Sequence, residues 1–179
     1  MRKIVVNDTN VFIDLHEAGL LEQFFLLPWE VHTTDFVMFG LLNEEQKDTV
    51  TAYKRNGYLH VATFDPEEII EIDNLHKKAI NKTNLSFTDC SVWYYAKRNK
   101  YILLTGDRKL RSSDLNEGVE VRGITYIFDE LVANGILPAR LAAEKLALLK
   151  SINPRLLDGE IEKSLKLWTD GQSKKGGRL

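Results

Sequence analysis

The sequence predicts an α/β fold in which helices cover both faces of a parallel sheet. As far as about residue 125, short apolar segments typical of buried strands alternate with longer segments typical of amphipathic helices. Beyond that point every segment has a helical pattern. With 179 residues, the chain is long enough to bury a full core without disulfides, and its single cysteine, Cys90, has no intramolecular partner.

The first half of the chain predicts two strands and three or four helices. Residues 3–7 form a continuous apolar strand, and Asp8, Thr9 and Asn10 then supply side chains that can cap a helix. A second helix follows Gly19 and ends before Pro28, because the residue before proline disfavours the helical conformation. The next elements are a brief strand over 30–34, one or two helices over 36–55, and a turn at 56–57.

The second half continues the alternation and then becomes helical. Weak alternation predicts a strand over 58–63, and Asp65 followed by Pro66 begins a helix that runs to about 81. Ser86 opens the next helix, which ends in the basic stretch 97–100. The apolar run 101–105 is typical of a central parallel strand. The remaining predicted elements are a short helix over 108–112, a strand over 119–121, helices over 126–134, 138–151 and 154–168, and a disordered polar tail over 171–179.

Charge and hydropathy exclude several classes of protein. The 24 basic and 26 acidic side chains give a net charge of −2, which excludes the strong positive field of a DNA-coating protein. The apolar opening is interrupted by Asn7 and Asp8, so it cannot serve as a signal peptide. No uninterrupted apolar run reaches the roughly 18 residues that a membrane span needs. These features predict a cytoplasmic protein, in agreement with the single cysteine.

Three aspartates stand where the predicted elements meet the carboxyl edge of the sheet. Asp8 directly follows the first strand, Asp107 follows the most apolar strand, and Asp89 lies near a helix start. If the two strands are neighbours, the three carboxylates converge, and their repulsion calls for a cation. An all-oxygen site suits Mg²⁺ or Mn²⁺ better than zinc. The alternative is that each aspartate only caps its own helix.

Three segments resemble the PIN domain, a family of metal-dependent ribonucleases that includes many bacterial toxin components. They are residues 7–15 (NDTNVFIDL), 88–96 (TDCSVWYYA) and 103–111 (LLTGDRKLR), in the order and spacing of the family. The resemblance covers about residues 3–125 and implies a three-layer α/β/α fold. We therefore expect a PIN-like domain over 1–125 and, from the helical pattern that follows, a helical extension over 126–170.

The resemblance also implies a site and an activity. Asp8, Asp89 and Asp107 would be the catalytic metal ligands, with Asn10 and Thr105 as polar neighbours. The implied reaction is Mg²⁺- or Mn²⁺-dependent cleavage of RNA, and the implied partner is an antitoxin protein.

One position departs from the family pattern. Within 33–42 (TTDFVMFGLL), Gly40 stands where the family usually carries a glutamate. Glu44, one helical turn further on, could reach inward and is the candidate replacement. The alternative function is therefore a catalytically impaired PIN-like module that binds RNA or protein, and a metal titration would discriminate between the two.

Basic and aromatic side chains follow the acidic positions. Five of them are candidate contacts for RNA phosphates, namely Lys97, Arg98, Arg108, Lys109 and Arg111. The competing interpretation is a basic helix end and an exposed turn. The run Trp93-Tyr94-Tyr95 fits either base stacking or core packing.

Other catalytic classes lack support. The histidines at 16, 32, 60 and 76 show no ligand spacing and have no partner cysteines, which argues against a zinc site. No nucleophile elbow and no phosphate-binding glycine loop occurs. A phosphoryl-accepting domain would carry a second acid near Asp8, where this chain has Asn10.

The helical segment after about residue 125 carries a large apolar stripe. Left on an isolated helix, that stripe would be exposed to water. We expect it to pack on the domain, on a second copy of the chain as a homodimer, or on a partner such as the antitoxin.

Overall fold

The computed structural model of the protein describes residues 2–41, 43–112 and 118–175. Its elements in chain order are β1 (Lys3–Asn7), α1 (Thr9–Glu17), α2 (Leu21–Phe25), β2 (Trp29–Thr34), α3 (Asp35–Gly40), α4 (Glu44–Arg55), β3 (Leu59–Ala62), α5 (Pro66–Thr83), α6 (Phe87–Asn99), β4 (Ile102–Leu104), α7 (Arg108–Arg111), β5 (Val121–Arg122), α8 (Ile124–Ala133), α9 (Ala139–Ile152) and α10 (Asp158–Lys175).

The five strands form one parallel sheet in the order β3-β2-β1-β4-β5. The central strand β1 has Val6 opposite His32 of β2 on one side and opposite Leu103 of β4 on the other. Val5 and Val6, whose side chains point to opposite faces, are both fully buried. Burial on both faces explains why the first strand reads as a continuous apolar run.

Helices cover both faces of this sheet. Because crossovers between parallel strands are right-handed, the β1-to-β2 and β2-to-β3 connections lie on one face and the return to β4 lies on the other. Helix α6, on the return path, contacts β1, β2 and β4, while α4 contacts β3. The predicted three-layer α/β fold is confirmed.

Local capping sets most helix boundaries. Asp65 accepts a hydrogen bond from the backbone N–H of Glu68 and starts α5 with a reciprocal capping box, as its sequence predicted. The region 36–55 contains two helices, because the backbone turns extended at Leu41 and Asn43 caps a new helix by accepting from the N–H of Gln46.

Several boundaries differ from the sequence prediction. Helix α8 begins at Ile124 instead of 126, and α10 begins at Asp158 instead of 154. The last strand is Val121–Arg122 instead of 119–121, because the N–H groups of Leu103 and Thr105 donate to the carbonyls of Glu120 and Arg122. Helix α10 continues to Lys175, into the segment predicted as a disordered tail. The remainder of that predicted tail, 176–179, lies outside the described residues.

The chain forms two compact units. The first contains the chain up to Ile13 together with Pro28–Gly123, and the second contains Asp14–Leu27 together with the chain from Ile124 onward. The predicted division into 1–125 and 126–170 stays a prediction, since the second unit also takes in α2.

Helical packing forms the core of the second unit. Helix α8 contacts α2, α9 and α10. Phe128 stacks on Trp168 with ring centroids 6.4 Å apart, and the indole N–H of Trp168 donates to a carboxylate oxygen of Asp129 at 2.9 Å. Much of the predicted apolar stripe is buried in this way, whereas Leu148 and Ile152 of α9 are about half exposed. None of the described helices combines the length and hydropathy needed to cross a bilayer.

Candidate metal centre

Asp8 lies at the carboxyl edge of the sheet, one residue beyond β1. Its backbone N–H donates to the carbonyl of Leu104 at 3.0 Å, which extends the pairing of β1 with β4. Its Oδ1 accepts the backbone N–H of Thr9 at 2.6 Å, and its Oδ2 accepts the hydroxyl of Thr105 at 2.7 Å and the amide of Asn10 at 3.5 Å. The residue is 1% exposed, so both carboxylate oxygens are held in fixed positions away from bulk water.

This carboxyl group is electrostatically unfavourable when charged. Burial raises the pKa of Asp8 to about 7, and the nearby charge of Asp89 adds to the shift. The hydrogen bonds from Thr105, Thr9 and Asn10 lower the pKa but only in part offset those two effects. Within the described part of the chain, no lysine or arginine forms an ion pair with Asp8. A cation bound beside Asp8 would supply the missing positive charge.

Thr105 connects Asp8 to Asp107. The fully buried Thr105 hydroxyl donates to Asp8 and accepts the backbone N–H of Asp107 at 3.0 Å. The Oδ1 of Asp107 accepts the N–H groups of Lys109 and Leu110, so this aspartate also caps α7. The capping interpretation is correct for Asp107, whereas its role as a ligand beside Asp8 stays a prediction.

Asp89 approaches the same edge from α6. It is the third residue of that helix, and its Oδ2 accepts both the backbone N–H and the hydroxyl of Ser86 at 2.7 Å in a reciprocal capping box. The helix start is fixed to the end of β2 by a 3.1 Å hydrogen bond between the hydroxyls of Ser91 and Thr34. Asp89 is therefore a helix cap whose charge also reaches Asp8.

The donor set fits a hard divalent cation. In the described part of the chain, Oδ1 of Asp89 and Oδ2 of Asp107 accept no hydrogen bond, so each aspartate has an oxygen to offer. Among the described residues, the three aspartates do not form a group whose ligand atoms lie together closely enough to hold one ion. Oxygen ligands of this kind suit Mg²⁺, which is commonly bound through one or two carboxylates and keeps several waters.

The comparison with known families identifies the domain. The model of the family DUF3368, described as a PIN domain, matches residues 4–170. The chain belongs to the PIN domain family. Proteins with this domain generally depend on divalent metal ions. No curated protein matches the chain.

Gly40 faces the carboxyl edge of the sheet near Asp8, Asp89 and Asp107, which we call the acidic edge. It is the last residue of α3, and a Cβ built on it would lie 3.5 Å from Oγ1 and 3.9 Å from Cγ2 of Thr9, the residue next to Asp8. A side chain at this position would therefore start beside the site. Glu44 is exposed and begins a separate helix, so it does not stand one turn beyond Gly40 on a continuous helix. The role of Glu44 as a supporting residue of the site stays a prediction, and its helical spacing from Gly40 no longer argues for it.

The basic candidates divide into two groups. Lys97 and Arg98 line a cavity of about 420 Å³ together with Glu71, Trp93 and Tyr94. There the ammonium of Lys97 lies 4.7 Å from the ring centroid of Trp93, and Arg98 pairs with a carboxylate on α5, that of Glu68. The RNA-binding roles of these residues stay predictions.

The second group follows Asp107 on α7. Arg108 and Lys109 are exposed there. Arg111 is half-buried, and a Cβ built on Gly123 would lie 2.9 Å from its Nη1, so its guanidinium packs against that glycine. Of the five basic candidates, Arg108 and Lys109 stand nearest in sequence to an acid of the site.

A second polar cluster lies in the first unit, and the spacing of the histidines along the chain did not predict it. Glu30, His32 and His60 bring one potential ligand atom each within 4.8 Å of one another. Burial lowers the pKa of His32, and the hydrogen bond from His32 lowers the pKa of Glu30. Alternation along the predicted strand 30–34 already placed Glu30 and His32 on one face. His60 joins these two residues only because β3 pairs with β2, which places His60 opposite His32.

Proposed function

We propose that this PIN domain is a Mg²⁺- or Mn²⁺-dependent ribonuclease whose ligands are Asp8, Asp89 and Asp107. The observation that carries the proposal is the buried Asp8 carboxylate, which is linked through Thr105 to Asp107 and feels the charge of Asp89. Such a group of acids destabilises the protein unless a cation is bound, which is the expected signature of a metal centre.

The residues of the chain position the reaction. A bound divalent ion would lower the pKa of a water and stabilise charge on the phosphoryl oxygens. Thr105 and Thr9 hold the Asp8 carboxylate in one orientation, Ser86 holds Asp89, and the first turn of α7 holds Asp107. These hydrogen bonds make the ligands rigid, so the protein contributes positioning and electrostatics instead of a covalent nucleophile.

Two basic regions support RNA as the substrate. Arg108 and Lys109 are exposed and follow Asp107 directly, so we assign them the phosphates nearest the site. Lys97 is eight residues beyond Asp89 on α6, about 12 Å along the helix axis. The cavity that Lys97 lines is also lined by Tyr94, whose ring offers a surface on which a base can stack.

A catalytically impaired binding module is the alternative that Gly40 favours. The position faces Thr9, so the missing glutamate removes a carboxylate from the acidic edge. Fewer carboxylates weaken metal affinity and favour a single ion over two. This protein would then bind RNA or a partner through the same surface without cleaving RNA.

A toxin role and its protein partner are proposals that rest on the family resemblance. The supporting observation is a row of apolar side chains on α9, Leu141, Leu148 and Ile152, which are 39%, 52% and 50% exposed. They are spaced by seven and four residues and share one helix face. An antitoxin and a second copy of the chain are the two partners to distinguish, and measuring the mass of the complex in solution would do so.

The direct test is cleavage of a labelled single-stranded RNA by the full chain. We expect cleavage with Mn²⁺ or Mg²⁺ and none with EDTA. Asp8→Asn and Asp107→Asn should each reduce the rate by at least about 100-fold, a typical cost of losing one preorganised electrostatic group. Asp48→Asn, at an exposed site on α4, is the matched control and should leave the rate unchanged.

The outcomes separate the two functions. If the natural protein binds Mn²⁺ and RNA but cleaves no RNA, the impaired-module alternative is correct. If Asp8→Asn binds Mn²⁺ as tightly as the natural protein does, the metal centre is not at the acidic edge.

A further inference from the structure

The polar cluster missed by sequence analysis lies on strands β2 and β3, away from the acidic edge. Glu30 and His32 are two residues apart on β2 and share a face, and His60 is the register partner of His32 on β3. His32 precedes the end of its strand by two residues and Glu30 by four, about 7 and 13 Å at the usual strand rise. The cluster is therefore distinct from the carboxylates of Asp8, Asp89 and Asp107.

The three side chains are already close to a coordinating arrangement. Nε2 of His32 lies 2.8 Å from Oε1 of Glu30, and the rings of His32 and His60 stack with centroids 4.8 Å apart. Two ligand atoms of a tetrahedral zinc ion are about 3.3 Å apart, given bond lengths of about 2.0–2.1 Å. Glu30 and His32 would need to separate by only about 0.5 Å. His60 is exposed, so its ring is able to rotate toward the other two ligands.

The surroundings of His32 resemble the outer shell of a metal ligand. His32 is 7% exposed and packs against the rings of Tyr95 and Tyr101. Its second ring nitrogen, Nδ1, lies 2.9 Å from the hydroxyl of Tyr95. A histidine that binds a metal through one nitrogen is normally held by a hydrogen bond at the other, and Tyr95 supplies that bond here.

We propose that Glu30, His32 and His60 form a zinc site that joins β2 to the edge strand β3. Two imidazoles and one carboxylate are a known zinc donor set, and the three-ligand site leaves the fourth position to water. Nitrogen donors favour zinc over Mg²⁺, whereas the all-oxygen acidic edge has the opposite preference. This proposal is independent of the ribonuclease activity.

Zinc binding requires a defined proton shift. A carboxylate cannot donate, so in neutral His32 the Nε2–H donates to Glu30 while Nδ1 accepts from the Tyr95 hydroxyl. When zinc takes the place of the Nε2 proton, that proton moves to Nδ1 and the Tyr95 oxygen becomes the acceptor. No proton is released from neutral His32, and Tyr95 keeps its hydrogen bond to the ring.

The test is a calorimetric titration of the full chain with zinc chloride in the presence of excess Mg²⁺. The Mg²⁺ occupies the oxygen ligands of the acidic edge before zinc is added. We expect one zinc per chain. His60→Ala and Glu30→Gln should each weaken zinc binding by at least about tenfold. His16→Gln, at a histidine outside the cluster, and Asp8→Asn, at the acidic edge, should both retain the affinity of the natural protein. Nitrogen-detected NMR of the histidine rings should show the His32 proton on Nε2 before zinc is added and on Nδ1 afterwards.

Each outcome decides the proposal. Loss of binding in both cluster variants with the tautomer change at His32 supports it. It is overturned if His60→Ala binds zinc like the natural protein, if Asp8→Asn abolishes binding, or if no zinc binds. Circular dichroism of the two cluster variants checks that they fold, and both alter side chains that are exposed or half exposed.

Discussion

Replacing Asp8 with asparagine should stabilise the metal-free protein at alkaline pH. The substitution keeps the size of the side chain and removes its charge. In the folded protein the pKa of Asp8 is raised from 3.8 to about 7, chiefly because the carboxyl is buried and secondarily because of Asp89. Between these two pH values the folded state holds a proton that the unfolded chain has lost. The stability that this proton contributes is fully present below about pH 3.8 and is lost as the pH rises to about 7.

The size of the effect follows from the shift. A difference of about 3 pKa units corresponds to about 4 kcal/mol of lost stability at pH 8, as an upper limit. Asparagine retains one oxygen to accept the backbone N–H of Thr9, while its amide nitrogen must instead donate to Thr105. We therefore expect Asp8→Asn to raise the free energy of unfolding by about 2 kcal/mol at pH 8 and by close to zero at pH 4.

The assay is urea unfolding in EDTA at pH 4 and pH 8, followed by tryptophan fluorescence and circular dichroism. Trp29 and Trp93 report on the first unit and Trp168 on the second. Mn²⁺ added at pH 8 should stabilise the natural protein but not Asp8→Asn. Only the natural protein has a buried negative charge at residue 8 for the ion to neutralise.

Two results would refute this reasoning. An equal change in stability at pH 4 and pH 8 would show that charge is not the cause. A loss of stability at pH 8 in EDTA would show that the hydrogen bonds to Asp8 outweigh the cost of burying it, and that the residue is structural.

Three further predictions test the edge of the sheet. Gly40→Glu should tighten Mn²⁺ binding by about tenfold in calorimetry, because a Cβ at this position has van der Waals room beside Thr9. Gly40→Ala is the control. Equal Mn²⁺ affinity in the two variants would show that the new glutamate does not reach the ion. Ser86→Ala should lower the free energy of unfolding, measured in urea, by about 1 kcal/mol, because it removes one half of the capping box with Asp89. An unchanged free energy of unfolding would mean that the capping box contributes no stability. Arg108→Ala should reduce the slope of log affinity against log salt for single-stranded RNA by about 0.7, as expected for one lost phosphate contact, and an unchanged slope would argue against that contact.

Local chemistry explains why the element order was predictable. The start of α5 at Asp65 and Pro66 and the start of α6 at Ser86 depend on side chains within three residues of the helix end. The last strand was misplaced because Val121 and Arg122 are selected by pairing with β4, and no pattern within 119–122 contains that information.

The acidic site was predictable only in part. Asp8 and Asp107 follow strands, so the edge they occupy could be inferred once the sheet was assumed to be parallel. Helix α3 ends at Gly40, and its exit separates Glu44 from the helix on which the sequence argument had placed it. The extended backbone at Leu41 ends α3, so Glu44 begins a separate helix instead of continuing α3.

The sequence by itself determined which segments fold, which three aspartates stand at the ends of elements, and which family the motifs resemble. These properties depend on neighbours within one or two helical turns. Tertiary structure alone decided that the Thr105 hydroxyl donates to Asp8 and that Asp8 is buried enough to shift its pKa to about 7. It also decided that His60 lies against His32. Hydrogen bonds, desolvation and ring stacking all require strand neighbours that are distant in sequence, which is why only the assembled sheet sets them.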